Sequence, residues 1–300
     1  MKKHRLFAEK RVFTMENVKI SLAGDLGSGK STVGKILCEK FGAQLYSTGT
    51  IQRAIAEEMG MTTLELNRYS ETHPEIDEKI DNGLRALEHR EDPLIIDSRM
   101  AWHFVPGSFS VYMAADAYVS AERIMNAGRS SEPFKNIKEA VCSVRNRRKS
   151  EMYRYAAFYG VNIKDMDNYD FVIDTSFASP ERIAKEIEEH YLKFRAGEKY
   201  PRYLVCAERL LPCAPLSAEG VPSFVEKDGY FYLAGGYKEI TERIKKGDML
   251  IPCERIRSFG RGAGRKEKYI RENCNEILLK QWEKESGVQV KVRPSFLCNY

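Results

Sequence analysis

Three features of the sequence predict an α/β fold, a mostly parallel sheet flanked by helices, followed by a smaller α+β domain. Short apolar, β-branched runs recur at residues 18–23, 43–47, 93–97, 109–113 and 169–175. Stretches with apolar residues at helical spacing stand between them, the alternation that builds βαβ units. A glycine-rich turn joins the first run to the first helical stretch, and beyond Tyr203 the pattern shifts to short strands and tight turns.

Composition sets the outer bounds. Three hundred residues exceed one typical domain. The chain is 43% hydrophobic and 30% charged, as in an ordinary globular protein and unlike a disordered one. The net charge of +5 is uneven. Residues 1–200 hold 30 Lys+Arg against 30 Asp+Glu, and residues 201–300 hold 18 against 13, so the basic excess lies in the C-terminal third. Seven cysteines are scattered without C-x-x-C spacing, which predicts reduced thiols and gives no ligand pattern for a structural metal. No apolar segment has the length of a membrane span, so a cytoplasmic location is expected. Residues 1–14 are basic and precede the first strand; they read as a loose arm or as an extension upstream of the native start. The main module is expected over 15–196, a linker over 197–201 and the second domain over 201–300. No internal repeat or low-complexity tract is present.

The turn after the first strand reads Gly24-Asp25-Leu26-Gly27-Ser28-Gly29-Lys30-Ser31-Thr32. Strand, G-x-x-x-x-G-K-[ST] and helix come in the order that a phosphate-binding loop requires. Glycines let successive N–H groups turn inward onto phosphate oxygens, and the following helix adds its positive end. Gly24, Gly27, Ser28, Gly29, Lys30, Ser31 and Thr32 are therefore the expected triphosphate cradle. Lys30 would reach the outer phosphates and Ser31 would offer a hydroxyl to Mg²⁺.

The second run leads into Ser47-Thr48-Gly49-Thr50-Ile51-Gln52-Arg53. A small hydroxyl-rich turn at a helix start, with Arg53 one turn in, is suited to an anion. Taken alone it favours an ordinary capped helix with a solvated arginine. Capped helices over 61–66 and 74–80 are expected to cover this region. The run at 93–97 ends in Asp97 and is followed by Ser98-Arg99. Ligands gather at the carboxyl ends of parallel strands, which makes Asp97 a candidate for Mg²⁺ and Arg99 for a second phosphate or a base. A helix through 121–124 precedes a cationic stretch containing Arg129, Arg145, Arg147, Arg148 and Arg154. Arg147, Glu151 and Arg154 share one helical face, where two guanidiniums steadied by a carboxylate could neutralise a transferring phosphoryl group. A basic surface helix is the alternative.

This set of motifs resembles the nucleoside monophosphate kinases, most closely the archaeal-type cytidylate kinases. The resemblance covers residues 18–194 and rests on the phosphate loop, Ser47-Thr48-Gly49 with Arg53, His73-Pro74-Glu75-Ile76-Asp77, Asp97-Ser98-Arg99, Arg145-x-Arg147-x-x-Ser150-Glu151-x-x-Arg154-Tyr155, Tyr159-Gly160-Val161 and Tyr169-Asp170-Phe171-Val172-Ile173-Asp174-Thr175. It implies a P-loop fold with a five-stranded parallel sheet, an arginine-rich lid, and ATP-dependent phosphorylation of CMP or dCMP. It also implies that Arg53 and Arg99 bind the acceptor and that Arg147 and Arg154 serve as lid residues; with Ser47, Gly49 and Asp97 beside them at the expected acceptor site, Arg147 and Arg154 are expected to act in catalysis alongside Lys30. Three positions depart from the family's pattern. Asp25 replaces a proline or neutral residue and adds a negative charge beside the phosphates, Ser98 replaces a glycine, and Arg148 stands where an acid is common.

In the C-terminal third, Asp228-Gly229 marks a hairpin within 224–233, a helix is expected to Lys246, and a strand over 249–253. The order weakly resembles the ParB-like nuclease fold, without that family's histidine and arginine after the glycine. Residues 255–266 form a glycine-interrupted basic loop, suited to nucleic acid or to solvent. A helix and an edge strand over 288–292 close the chain. Three readings follow: a nucleoside monophosphate kinase, a P-loop kinase for another small acceptor whose pocket Asp25 and Ser98 have altered, and a nucleotide-switched regulator touching nucleic acid.

Overall fold

The computed structural model describes residues 17–127, 134–257 and 265–297. The expectations for 1–14, for Arg129 and for the middle of the basic loop lie outside those residues.

Strand β1 (Lys19–Gly24) runs into helix α1 (Lys30–Phe41), then β2 (Gln44–Ser47), α2 (Thr48–Glu58), α3 (Thr63–Tyr69) and α4 (Pro74–Ala86). Next come β3 (Leu94–Asp97), the short α5 (Ala101–Phe104), β4 (Phe109–Ala114), α6 (Ala117–Asn126), the long α7 (Ile137–Tyr159), β5 (Phe171–Asp174) and α8 (Pro180–Ala196). These strands pair in the order β2-β3-β1-β4-β5, all parallel. The five-stranded parallel sheet is thus present as expected. Thr62 caps α3 with a reciprocal capping box to Glu65, and Pro74 opens α4, both where the sequence signals put them.

The remainder does not start a second sheet. The chain turns at Gly197, and β6 (Tyr203–Cys206) pairs parallel to β5. There follow β7 (Leu210–Pro212), β8 (Ser223–Lys227), β9 (Tyr230–Gly235), α9 (Tyr237–Lys245), β10 (Leu250–Arg255), α10 (Arg265–Asn273) and α11 (Glu276–Ser286). Beyond β6 the order continues β10-β8-β9-β7, so one ten-stranded sheet runs through both parts. The hairpin falls at Asp228 and Gly229, which both have positive φ as a two-residue turn of this hand requires. Residues 288–292 form no strand. Val288, Val290 and Val292 are buried in alternation, but the backbone is tied by Val290 N–H to Glu283 and Lys291 N–H to the Glu208 carbonyl rather than by a ladder.

The two faces of the sheet bury different layers. Ile20 and Leu22 of β1 pack with Val33 and Leu37 of α1 and with Ile183 and Ile187 of α8, while Ala23 turns to the other face. On that other face Tyr112, Tyr169 and Val172 join Phe224, Leu233, Tyr237 and Trp282, so the C-terminal elements complete a core begun by the first part of the chain. The carboxyl ends of β1 and β3 deliver the loops that carry the candidate chemistry.

Candidate active site

The loop after β1 has the backbone that its glycines predict. Gly24 has φ +135°, and a Cβ there would lie 2.2 Å from the Met113 carbonyl oxygen, so no side chain fits against β4. Gly29 at φ +88° turns the chain into α1. Lys30 lies over the loop, its ammonium donating to the carbonyls of Gly24 (3.2 Å) and Asp25 (2.7 Å) and to Ser28 Oγ (3.2 Å). Burial, with Arg99 nearby, lowers its pKa to about 8.

Ser31 and Asp97 meet across the parallel pair β1–β3. Ser31 Oγ donates to Asp97 Oδ2 at 3.0 Å, and Ser47 Oγ approaches the same oxygen at 3.4 Å. One carboxylate and two hydroxyls form a hard-oxygen set at the mouth of the cradle. That donor chemistry suits Mg²⁺, which keeps waters and phosphate oxygens in its shell and needs few protein ligands.

Opening from this point is a cleft of about 120 Å³. It is lined by Leu26, Gly27 and residues 29–32 of the loop and helix start together with Ser47, Gly49, Arg53, Asp97, Arg99 and Arg147. Three guanidiniums reach it from three separate elements: α2, the turn after β3, and α7. Glu151 steadies two of them, accepting from Arg99 Nε at 2.5 Å and Arg147 Nε at 3.3 Å. Burial alone would raise the pKa of this carboxyl, but Arg99 and Arg147 hold it below the ordinary value. It is therefore a fixed anion that aims cations into the cleft.

Arg154 departs from the expectation. It is 1% exposed, donates twice to Asp77 at 2.8–2.9 Å and once to Asn67 at 3.0 Å, and does not line the cleft. The helical face shared by Arg147, Glu151 and Arg154 is real, yet Glu151 pairs with Arg147 and with Arg99 from another element. Arg154 instead pins α7 to α4.

The three departures from the family pattern also resolve. Asp25 does not line the cleft. It points toward β4, where it accepts from Tyr112 Oη (2.6 Å), Lys164 Nζ (2.6 Å) and the Ala115 N–H (3.0 Å), with Arg148 at 2.9 Å. The negative charge expected beside the phosphates is thus neutralised beneath the loop. Ser98 is 4% exposed and accepts from the Met100 N–H, so it too faces inward.

A further candidate side chain is Arg123 of α6. On the far side of the cradle is a cavity of about 270 Å³ lined by Gly27, Gly29, Thr32, Arg123, Thr175 and Ala178 among others. Arg123 donates to the carbonyls of Thr175 (2.7 Å), Ser176 (3.1 Å) and Gly27 (3.4 Å). The helix that carries it was expected, but no local pattern marks this arginine. In the C-terminal part, the described start of the basic loop is compensated: Arg255 and Arg257 both approach Asp167, and Arg255 also approaches Asp165 and Glu226. Among the described residues, no helix is long and apolar enough to cross a membrane.

A lysine-bearing cradle at the end of the first parallel strand, faced by a cleft lined with three arginines, defines a P-loop kinase of the nucleoside monophosphate kinase class. Residues 19–177 match the model of the cytidylate kinase-like family, and the chain belongs to that family. It is 36% identical to the cytidylate kinase of Thermoplasma volcanium over 192 residues, covering 62% of this chain and 98% of that one. The cytidylate kinase of Sulfolobus acidocaldarius is 37% identical over 169 residues, 56% of this chain and 90% of its own. An S-adenosylmethionine-dependent nucleotide dehydratase of Lacinutrix mariniflava is 34% identical over 184 residues, covering 61% of this chain and 38% of that one.

Proposed function

We propose that this enzyme transfers the γ-phosphoryl group of ATP to the phosphate of CMP or dCMP, giving the diphosphate and ADP. The observation that carries the reading is the convergence of Arg53, Arg99 and Arg147 on the cleft that also holds Lys30, Ser31 and Asp97. In-line transfer needs donor and acceptor on opposite sides of the travelling phosphorus. The cradle has a cavity on each side, so the donor base is assigned to the one lined by Arg123, Thr175 and Ala178, and the acceptor phosphate to the one lined by the three arginines.

The acceptor phosphate is already an anionic nucleophile, and no general base is needed. Arg53 and Arg99 hold it, Lys30 and Arg147 neutralise the charge that develops on the transferring group, and the loop amides fix the donor. Ser31, Asp97 and Ser47 would hold Mg²⁺, which supplies charge neutralisation on the outer phosphates when bound. Asp25 and Ser98, the two positions that could have marked an altered acceptor pocket, both face away from it. That supports the family's own acceptors over a different small molecule.

A panel assay tests the reading. ATP and Mg²⁺ are supplied with each nucleoside monophosphate in turn, then with small alcohols and acids, and ADP release is measured. Release that depends on CMP or dCMP is expected, whereas release with a sugar or an acid alone would move the assignment to another kinase class.

A further inference from the structure

Arg209 of the C-terminal part is buried against the turn after β5, which borders the donor side of the cradle. Arg209 stands just after β6 and is 3% exposed. Its Nη1 donates to Asp174 Oδ1 (3.0 Å) and to Ser176 Oγ (3.2 Å), and its Nη2 to the Gly229 carbonyl in the β8–β9 turn (2.5 Å). The guanidinium carbon lies 4.5 Å from the centre of the Phe231 ring.

Asp174 ends β5, and its other contacts bind the same turn. Oδ1 accepts from the Ser176 N–H (3.1 Å) and Oγ (2.7 Å), and Oδ2 from the Cys206 N–H (3.2 Å). The carbonyls of Thr175 and Ser176 then receive Arg123, whose other nitrogen reaches Gly27 of the phosphate loop. Further along, Lys291 lies 4.6 Å over the Phe177 ring. A continuous chain of polar contacts therefore runs from the β8–β9 hairpin through Arg209 and the 174–176 turn to Arg123 and the cradle.

We propose that Arg209 is a positioning residue for the donor nucleotide, and that the elements after residue 201 act as a buttress that shapes the donor-base cavity. The inference rests on the assignment of that cavity to the donor base. One wall of the cavity, Thr175, belongs to the turn that Arg209 holds, and another, Arg123 of α6, donates to the carbonyls of that turn. Without the forked guanidinium the turn loses the donors that hold Asp174 Oδ1 and Ser176 Oγ, and a shift of the turn would carry Thr175 with it. The acceptor cleft shares neither Thr175 nor Arg123.

Two variants of the full chain test this. Asp174→Asn/Arg209→Met removes both buried charges together, and Arg209→Lys keeps the charge while losing the forked reach; the latter is read in the same way where the pair does not fold. The expected result is a KM for ATP raised about five- to tenfold and a reduced preference for ATP over GTP, with the KM for CMP within about twofold. Ala127→Trp, at the exposed rim of the cavity, is measured alongside. If Ala127→Trp shifts the ATP KM and the Arg209 variants do not, the buttress is overturned and the donor site stands. If Ala127→Trp leaves ATP untouched, the donor-site assignment fails and the buttress with it. Equal shifts for ATP and CMP would show a merely structural role and overturn the proposal.

Discussion

Asp25 and Arg148, two charges that set this chain apart from its family's usual pattern, are paired with each other at 2.9 Å beneath the phosphate loop. One stands in the loop and the other on α7, next to the arginine that faces the cleft. The Asp25 side chain is 6% exposed, and burial alone would raise its pKa. Arg148, Lys164 and the Ala115 N–H together hold it far below the ordinary carboxylate range. The pair thus fastens the arginine-bearing helix to the cradle while keeping a negative charge away from the phosphates.

Removing Asp25 alone strands two partly buried cations, Arg148 and Lys164. Asp25→Asn is expected to cost about 3 kcal/mol of stability, and Asp25→Asn/Arg148→Met to recover part of it. Urea unfolding of Asp25→Asn, Arg148→Met and the double reads the coupling; additive losses would mean that the pair is not a unit. Because the folded pKa is depressed, this contribution is present above the unfolded value of 3.8 and is lost as the pH falls toward the folded one.

Lys30 titrates within the working range. With its pKa lowered to about 8, the free enzyme loses that positive charge as the pH rises above 8, whereas a bound triphosphate would restore it. ATP affinity should therefore decline above pH 8, by up to about tenfold per unit. Calorimetric titration across pH 7–9.5 measures it, and the Lys30→Ala variant, which should neither transfer phosphate nor show the inflection, is the control. A flat profile in the unsubstituted chain would remove Lys30 from the donor site.

Arg147 and Arg154 should separate cleanly. Arg147→Ala is expected to lower kcat by about 10²-fold or more with little change in Tm, since it faces the cleft. Arg154→Met leaves Asp77 buried without its partner and is expected to cost about 3–5 kcal/mol, while folded protein keeps most of its kcat. Steady-state kinetics beside thermal melts decides between the two roles.

Asp81 is a buried acid whose removal should stabilise the fold. Burial is the main cause that raises its pKa to about 6, the nearby Asp77 adds to it, and the Tyr159 hydroxyl donates to it. The folded chain holds the proton to higher pH than the unfolded one. Stability is therefore greatest below the unfolded value of 3.8 and falls as the pH rises through about 6. Asp81→Asn keeps an acceptor for Tyr159 and should gain roughly 2–3 kcal/mol at pH 7.5, with little gain at pH 4. Equal effects at both pH values would contradict this.

What the sequence made legible was local. The strand, glycine turn and helix of the cradle, the Thr62–Glu65 capping box and the Asp228-Gly229 turn each depend on residues a few positions apart. So did the placing of Asp97 at a strand end, where topology brings it to Ser31. Distant partnerships were not legible. Arg154 looked like a second cleft arginine because its partner Asp77 lies 77 residues away. Asp25 read as an anion beside the phosphates because nothing nearby in sequence announces Arg148 or Lys164. The continuation of the sheet past β5 depends on a pairing that an alternating pattern cannot specify, since Tyr203 to Cys206 would look alike in a sheet of their own. At residues 288–292 the alternation correctly marked buried valines and wrongly implied a ladder.

The central claim is direct transfer between two nucleotides across the cradle. Phosphorus NMR of the protein with ATP, Mg²⁺ and CMP tests it in one tube. The account predicts resonances of CDP growing in step with those of ADP, and none in the Lys30→Ala variant. Orthophosphate accumulating while CMP stays unchanged would contradict it.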